Sequence, residues 1–483
     1  MVVHRAKRGY YAKGALAWTG RMFVVHSLVD CRCRNTGGNM FLSLREWLGG
    51  LKGFCMVRWI LLFVLGIVVL PTRVSAEGLQ SYLSSLGPAT DISVVARTAA
   101  GPSEIAFQSQ VWRSIPWKHR LLIKSPPVLS RPDFVVLNLT GGDGGADREA
   151  AAERLADALG IRVAILTRVP NQPLFDGRSE DILLSFTLDQ YRRSGDPSWP
   201  LLFPMVSSVV KGIDVLGQTL DQKDLKVVLI GASKRGWTTY LTAAVDRRIA
   251  AMVPTVFEMV SMQKQIALAR ARYGRDSEKI RPYTALGLTD SLLEPRVAQM
   301  ISWIDPVHYA QRFTMPKLVL LGANDPYWVV DSVREYWSQL PGPKLLRILP
   351  NVGHGVLSEP AAQDAIVSFV RAVIGGRKLP SASWRFSSVA NGVAIVSGEG
   401  NETLAGCEIW RATSETRDFR SATFGSSACE VVDGGRGFRA TIPVEYGVNT
   451  AVFAQLTTKE ADGSSPISLS TESQVYLANS RGR

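Results

Sequence analysis

Residues 225–237 read LKVVLIGASKRGW, and TTYLTAAV follows over 238–245. LKVVLI is a short apolar run rich in β-branched residues, the size of a strand buried inside a parallel sheet. TTYLTAAV carries on as a helix. Between the two, Ser233 stands among Gly231, Ala232 and Gly236. A strand that turns directly into a helix leaves room only for small neighbours. It also lifts the hydroxyl to a helix N-terminus, where unpaired N–H groups favour a developing negative charge. The spacing departs from G-x-S-x-G, because Arg235 lies two residues after the serine and Gly236 three. Taken alone, such a serine reads equally as a helix cap or a turn residue.

The surroundings of this turn repeat one pattern. FVVLNL (134–139), IRVAILT (161–167), KLVLL (317–321) and KLLRIL (344–349) are further strand-like runs, with the segment 250–257 between them. Helical stretches separate them near 148–159, 181–192, 205–217, 332–339 and 361–374. Alternating strands and crossover helices imply a parallel sheet covered on both faces. An antiparallel pair, 104–112 and 119–124, is expected at one edge. About sixty residues of helical character separate the strands near 257 and 317, and an insertion of that size reads as a lid over about 258–312. From residue 381 the chain breaks into short strand-like runs divided by Gly, Ser, Asn and Asp, the pattern of an immunoglobulin- or fibronectin-like β-sandwich over 381–483. The expected class is therefore α/β: an α/β-hydrolase fold at 77–378 with a helical lid insertion, followed by a small C-terminal β-sandwich.

A nucleophilic serine needs a base, held by an acid. Downstream of residue 76 there are three histidines, His119, His308 and His354. His119 lies on the edge-strand pair beside Trp117 and reads as structural. His308 follows Asp305-Pro306 at the end of the insertion and reads as a lid contact. His354 lies in NVGHG (351–355), just past the last strand, where this fold carries its base. Asp325 leaves the preceding strand in GANDP (322–326), with Asp331 in reserve. The order Ser233, Asp325, His354 along successive strand ends predicts the catalytic triad. The backbone N–H of Lys234 and those of Gly141 and Gly142, in the loop TGGDGG (140–145), are the expected oxyanion hole. Asn171 and Gln172 with the Glu180-Asp181 pair are candidates for positioning substrate or lid; a Pro-stabilised loop capping the next helix fits them as well. No G-x-x-x-x-G-K-[ST] loop and no His/Cys or His/Glu metal spacing occurs, so neither phosphate loop, metal nor other cofactor is expected.

The chain has 483 residues, 46% hydrophobic and 20% charged, with a formal charge of +13. That composition excludes a disordered chain. The charge points at first to a nucleic acid or an anionic membrane. Its distribution removes that reading. Residues 60–70 (ILLFVLGIVVL) form an eleven-residue apolar core after Arg58, too short to span a bilayer and right for a signal peptide. PTRVSA (71–76) supplies a cleavage site after Ala76, and Met56 can serve as initiator. An uncleaved anchor is the alternative. Residues 1–55 then read as an unstructured leader or a start assigned too far upstream, and 56–76 as the signal peptide. Residues 77–483 retain 44 basic and 40 acidic residues, +4. Export to the periplasm or beyond, with no nucleic-acid partner and no stable membrane anchor after cleavage, is the expectation. Cys407 and Cys429 remain downstream of the cleavage site as a candidate disulfide, with two buried thiols as the other reading.

At these motifs the chain resembles the PhoPQ-activated pathogenicity-related family of exported α/β-hydrolase-fold proteins. The shared text is VWRSIPWKH (111–119), RVPNQPLFDG (168–177), Glu180-Asp181, WPLLFPM (199–205), GASKRGWTTYLTAA (231–244), GANDPYW (322–328), LPNVGHG (349–355) and RATSETRDFR (411–420). The resemblance implies a triad on Ser233, Asp325 and His354 and a link to virulence. It also implies an acid soon after the strand near Pro254, where this chain reads TVFE (255–258). The serine turn is similar too to that of glucuronoyl esterases, which implies a side-chain role for Lys234 in polarising an ester. The sequence thus predicts an exported serine hydrolase acting on a small ester or a peptide. A secreted, non-catalytic binding or signalling protein on the same scaffold is the alternative.

Overall fold

A computed structural model describes residues 77–459 and 465–478 of the chain. The leader, signal peptide and cleavage point expected from the sequence lie outside these residues. After helix α1 (Glu77–Ser84), strands β1 (Thr90–Thr98), β2 (Gly101–Trp112) and β3 (Ile115–Lys124) form an antiparallel meander. The sequence reading has β2 and β3 but not β1. That strand is exposed almost throughout, so it has no apolar pattern and exists by pairing with β2 alone.

The alternating part follows: β4 (Phe134–Leu139), α2 (Ala146–Leu159), β5 (Arg162–Leu166), α3 (Glu180–Ser194), α4 (Leu202–Thr219), β6 (Lys226–Ala232), α5 (Lys234–Val245) and β7 (Ile249–Thr255). The insertion holds α6 (Met262–Tyr273), α7 (Arg281–Thr284) and α8 (Pro295–Ile304), with 3-10 turns at Glu278–Ile280 and Pro306–Arg312. β8 (Lys317–Gly322), β9 (Lys344–Leu349) and α9 (Pro360–Ile374) complete the domain. The helical stretch read near 332–339 is two 3-10 turns, Ser332–Glu335 and Trp337–Gln339.

The nine strands form one sheet in the order β1-β2-β3-β5-β4-β6-β7-β8-β9, parallel from β5 to β9. With one strand swap at β5-β4 and helices on both faces, this is the α/β-hydrolase fold, with the serine turn leaving the C-terminal end of central strand β6. Val227, Val228 and Leu229 of that strand are fully buried. At about 25 cal/mol per Å² of apolar area removed from water, such central strands supply a large share of the core's stability.

The C-terminal part is two antiparallel sheets. Strands β10 (Ala382–Phe386), β11 (Val393–Gly400), β12 (Leu404–Ser414), β13 (Gly425–Ala428), β14 (Glu430–Val432), β15 (Gly437–Pro443), β16 (Asn449–Thr458), β17 (Ser468–Ser470) and β18 (Gln474–Tyr476) run in chain order. One sheet is β10-β11-β15-β14; the other is β13-β12-β16-β17, with β18 also on β16. Cys407 on β12 and Cys429 between β13 and β14 form a disulfide, their Cα atoms 5.5 Å apart, where the chain crosses from one sheet to the other. The two domains share a core. Leu318 and Leu345 of the hydrolase sheet belong to the same buried cluster as Leu456 and Leu469 of the sandwich, and Ile348 N–H donates to Ser470 Oγ at 3.1 Å.

Candidate active site

Ser233 has φ 58° and ψ −125°. A serine is held there only by its surroundings, at a cost on the order of 1–3 kcal/mol. Gly231 and Gly236 make the turn possible. A Cβ on Gly231 would run into the Arg235 carbonyl, and one on Gly236 would press on the Thr255 carbonyl and Phe257 Cβ, each at 3.0 Å. The steric requirement therefore falls three residues after Ser233, and Arg235 is free to send its side chain elsewhere. Ser233 N–H donates to the Thr255 carbonyl at 2.8 Å, and Trp237 N–H returns to the Ser233 carbonyl at 3.0 Å. The first N–H groups of α5, Lys234's among them, have no acceptor within the helix.

Asp325 and His354 meet. Asp325 is buried; its Oδ2 lies 2.7 Å from His354 Nδ1, and its Oδ1 accepts from Tyr327 N–H at 2.8 Å. Tyr327 also lies on the His354 ring, centroids 4.3 Å apart at 30°. His354 Nε2 is buried and has no hydrogen-bond partner. Among the described residues, no hydrogen bond joins it to Ser233 Oγ. Asp331, the reserve acid, is taken by Arg272 at 2.5 Å. His308 is exposed at the end of the insertion.

A polar bracket ties the serine turn to the glycine loop. A Cβ at Gly141 would fall on the Arg235 guanidinium, so only glycine lets the loop approach so closely. Arg235 grips Glu180 with both terminal nitrogens, at 2.8 and 2.6 Å. Gln172 Oε1 accepts from Glu180 N–H at 2.9 Å, while its Nε2 donates to Glu180 at 2.5 Å and to the Gly141 carbonyl at 3.3 Å. Burial alone would raise the Glu180 pKa. Arg235, then Lys234 and Gln172, overcome that and bring it to about 2. Lys234 Nζ bonds Asp181 and Glu180, both at 3.1 Å. Its ammonium, for which the glucuronoyl-esterase likeness implies a side-chain role, is thus held by two carboxylates. Asp181 also accepts from Tyr283 OH at 3.0 Å and Tyr327 OH at 3.3 Å. Gly142 N–H leans on Thr140 Oγ1 at 3.4 Å. Asn171 lies outside the bracket and donates to the Pro116 carbonyl.

The sandwich reaches this site. Asn324 Nδ2 is directed at the carbonyls of Phe419, Arg420 and Ala422, at 3.1, 3.3 and 2.7 Å. Arg420 also bonds Glu278 at 2.7 Å and the Pro326 carbonyl at 3.4 Å. The acid loop is therefore held from the far domain by the end of the RATSETRDFR segment.

Two further titratable groups, His119 and Glu258, are buried. His119 accepts or donates to Ser109 Oγ at 3.0 Å and pairs with the Thr167 carbonyl at 2.9 Å; burial lowers its pKa to about 4. Glu258 is buried with Oε1 unpartnered. Burial, then the charges of Asp325 and Asp331, push it well above the usual carboxyl range. Tyr283, Tyr327, Asn324 and Asn351 are the contributors that reading by residue type does not find, since each acts through a distant partner. Asn324 and Tyr327 stand in GANDPYW and Asn351 in LPNVGHG, so motif membership was the available signal. Among the described residues no three His, Cys, Asp or Glu side chains are grouped to hold a metal ion, and no helix is long and apolar enough to cross a membrane.

Comparison with known proteins gives the following. The sequence profile of the PhoPQ-activated pathogenicity-related protein family matches residues 92–420. Autocrine proliferation repressor protein A of Dictyostelium discoideum is 34% identical over 277 residues, 53% of this chain and 56% of that protein; the match thus spans just over half the length of that relative. Among solved structures, acetyl xylan esterase 1 of a Thermoanaerobacterium species is similar with TM-score 0.45 and 14% identity, over 62% of this chain and 92% of that one. An acetyl xylan esterase of a Paenibacillus species gives 0.45 and 14%, over 62% and 93%.

Proposed function

This chain belongs to the PhoPQ-activated pathogenicity-related protein family, and on that premise we propose that it is an exported serine hydrolase that cleaves an ester. The carrying observation is the 2.7 Å bond between buried Asp325 and His354, which leaves His354 Nε2 without a protein partner. In this reading Ser233 Oγ attacks the ester carbonyl and His354 Nε2 takes its proton. Asp325 keeps Nδ1 protonated and stabilises the imidazolium. The oxyanion is held by the N–H of Lys234 and those of Gly141 and Gly142. His354 then returns the proton to the leaving alkoxide, and water, activated by the same nitrogen, releases the acid from Ser233. A peptide bond is the second substrate class. The Cys407–Cys429 disulfide supports an oxidising compartment, and so export.

A fluorophosphonate probe tests the proposal. Wild type labels and Ser233→Ala does not. A folded wild type that resists labelling at neutral pH overturns it. The name of the Dictyostelium relative, a proliferation repressor, favours a second reading, a secreted signalling protein on this scaffold. That reading gains if the unlabelled protein still acts on cells.

A further inference from the structure

Beside Ser233 a cavity of about 90 Å³, partly open to solvent, lies between α5 and the inserted helices. Its lining is mostly apolar and includes Met262 and Ile266 from α6, Leu288 before α8, Met300 and Ile301 from α8, and Met259. Ser233 and Lys234 lie on α5's first turn, and Asp181 completes a polar edge.

Apart from Ser233 and Thr289, the polar side chains of this cavity are already engaged within the protein. Asp181 takes Lys234 Nζ, Tyr283 OH and Tyr327 OH. Trp237 Nε1 donates to the Ile304 carbonyl, and Trp328 Nε1 to the Val256 carbonyl at 3.2 Å. Thr289 Oγ1 is buried without a hydrogen-bond partner. A ligand carrying hydroxyls or charge would lose its water here and find few partners, a penalty of one or more hydrogen bonds' desolvation. An apolar ligand loses nothing. Three methionines line the wall; they are unbranched and adapt to a flexible chain better than a rigid slot would.

We infer that this cavity is the acyl site, and that the substrate is an ester of a medium-length, unbranched fatty acid rather than of acetate. The inference rests on the hydrolase reading above. The carbonyl carbon bonds to Ser233 Oγ as its bond to the alcohol oxygen breaks. The Ser233 proton passes through His354 to that oxygen, and the alkyl chain stays in the cavity until water releases the acid.

The test is a series of p-nitrophenyl esters, acetate, butyrate, octanoate and decanoate, run beside fluorophosphonate labelling. A fully buried methylene is worth about fourfold in binding, so partial burial of the chain is enough for kcat/KM to rise about tenfold or more from acetate to octanoate. Ile301→Trp and Leu288→Trp, which put bulk into the cavity lining, are each expected to lower the octanoate-to-acetate ratio about tenfold. Inactivation of wild type by alkyl fluorophosphonates of increasing chain length gives the same ordering and needs no variant to fold. Labelling at Ser233 with a flat or acetate-favouring series overturns the acyl-site inference and leaves the hydrolase reading standing, as does a preference for apolar peptides over all the esters. Absence of labelling overturns both.

Discussion

Asn351 and Phe424 exchange two hydrogen bonds across the boundary between the hydrolase domain and the sandwich: Asn351 Nδ2 donates to the Phe424 carbonyl at 2.9 Å, and Phe424 N–H donates to Asn351 Oδ1 at 2.7 Å. Asn351 stands three residues before His354, and Asn324, bonded to the same run of sandwich backbone, stands one before Asp325. Acid and base loops thus share a support that belongs to neither. Each such bond is worth about 1 kcal/mol. Asn324→Ala and Asn351→Ala are expected to lower kcat about tenfold with KM within about twofold, and to slow fluorophosphonate labelling in step. A fall in melting temperature with unchanged kcat would reduce these residues to structural ties.

Asp325→Asn keeps the size of the side chain and loses the charge that fixes the His354 tautomer. The expected loss in kcat is about 10³–10⁴, with little change in thermal melting, measured with the best ester found.

The Glu180–Arg235 pair sets an acid limit. The folded Glu180 pKa, about 2, lies below its ordinary 4.5. Its contribution is therefore fully present above about pH 4.5 and lost as pH falls toward 2. Wild-type melting temperature should drop through that window. Glu180→Gln should begin lower and show a shallower drop, and its activity at neutral pH should fall because Arg235 no longer has its partner beside Gly141.

His119 makes a second window, higher up. Its folded pKa of about 4 lies below the ordinary 6.5, so the unfolded chain binds the extra proton between these values and stability falls as pH drops from about 6.5 to 4. The full shift corresponds to roughly 3 kcal/mol. Urea unfolding at several pH values reads it, and His119→Gln should flatten that part of the profile.

Glu258 behaves in the opposite sense. A carboxyl raised above its unfolded value contributes stability below about pH 4.5 and loses it as pH rises through the folded pKa. Glu258→Gln, neutral at every pH, is expected to keep near-wild-type kcat and to melt higher than wild type at pH 8. A large loss of activity would instead assign the carboxyl a proton-transfer role.

Much of the fold was legible because its signals are local. LKVVLI, KLVLL and KLLRIL are buried on both faces and read as such, and the helices between them carry their own apolar stripes. β1 was not legible: TDISVVART is exposed on both sides, so only its partner defines it. The strands β13, β14 and β17, three or four residues each, fall below any pattern that residue order can carry. The Gly236 that seemed one place late is explained by the Thr255 carbonyl on a neighbouring strand, which no spacing rule contains.

Residue order by itself determined the serine turn, the chain order of Ser233, Asp325 and His354, and the change of architecture near residue 380, because each depends on neighbours along the chain. Only the tertiary structure decided which aspartate meets His354, that Lys234 and Arg235 are spent on Asp181 and Glu180, and that the sandwich holds both loops of the site. Those facts rest on contacts between residues 29 to 98 positions apart. A hydrogen bond or an ion pair is a property of distance in space, and folding, rather than sequence spacing, sets that distance.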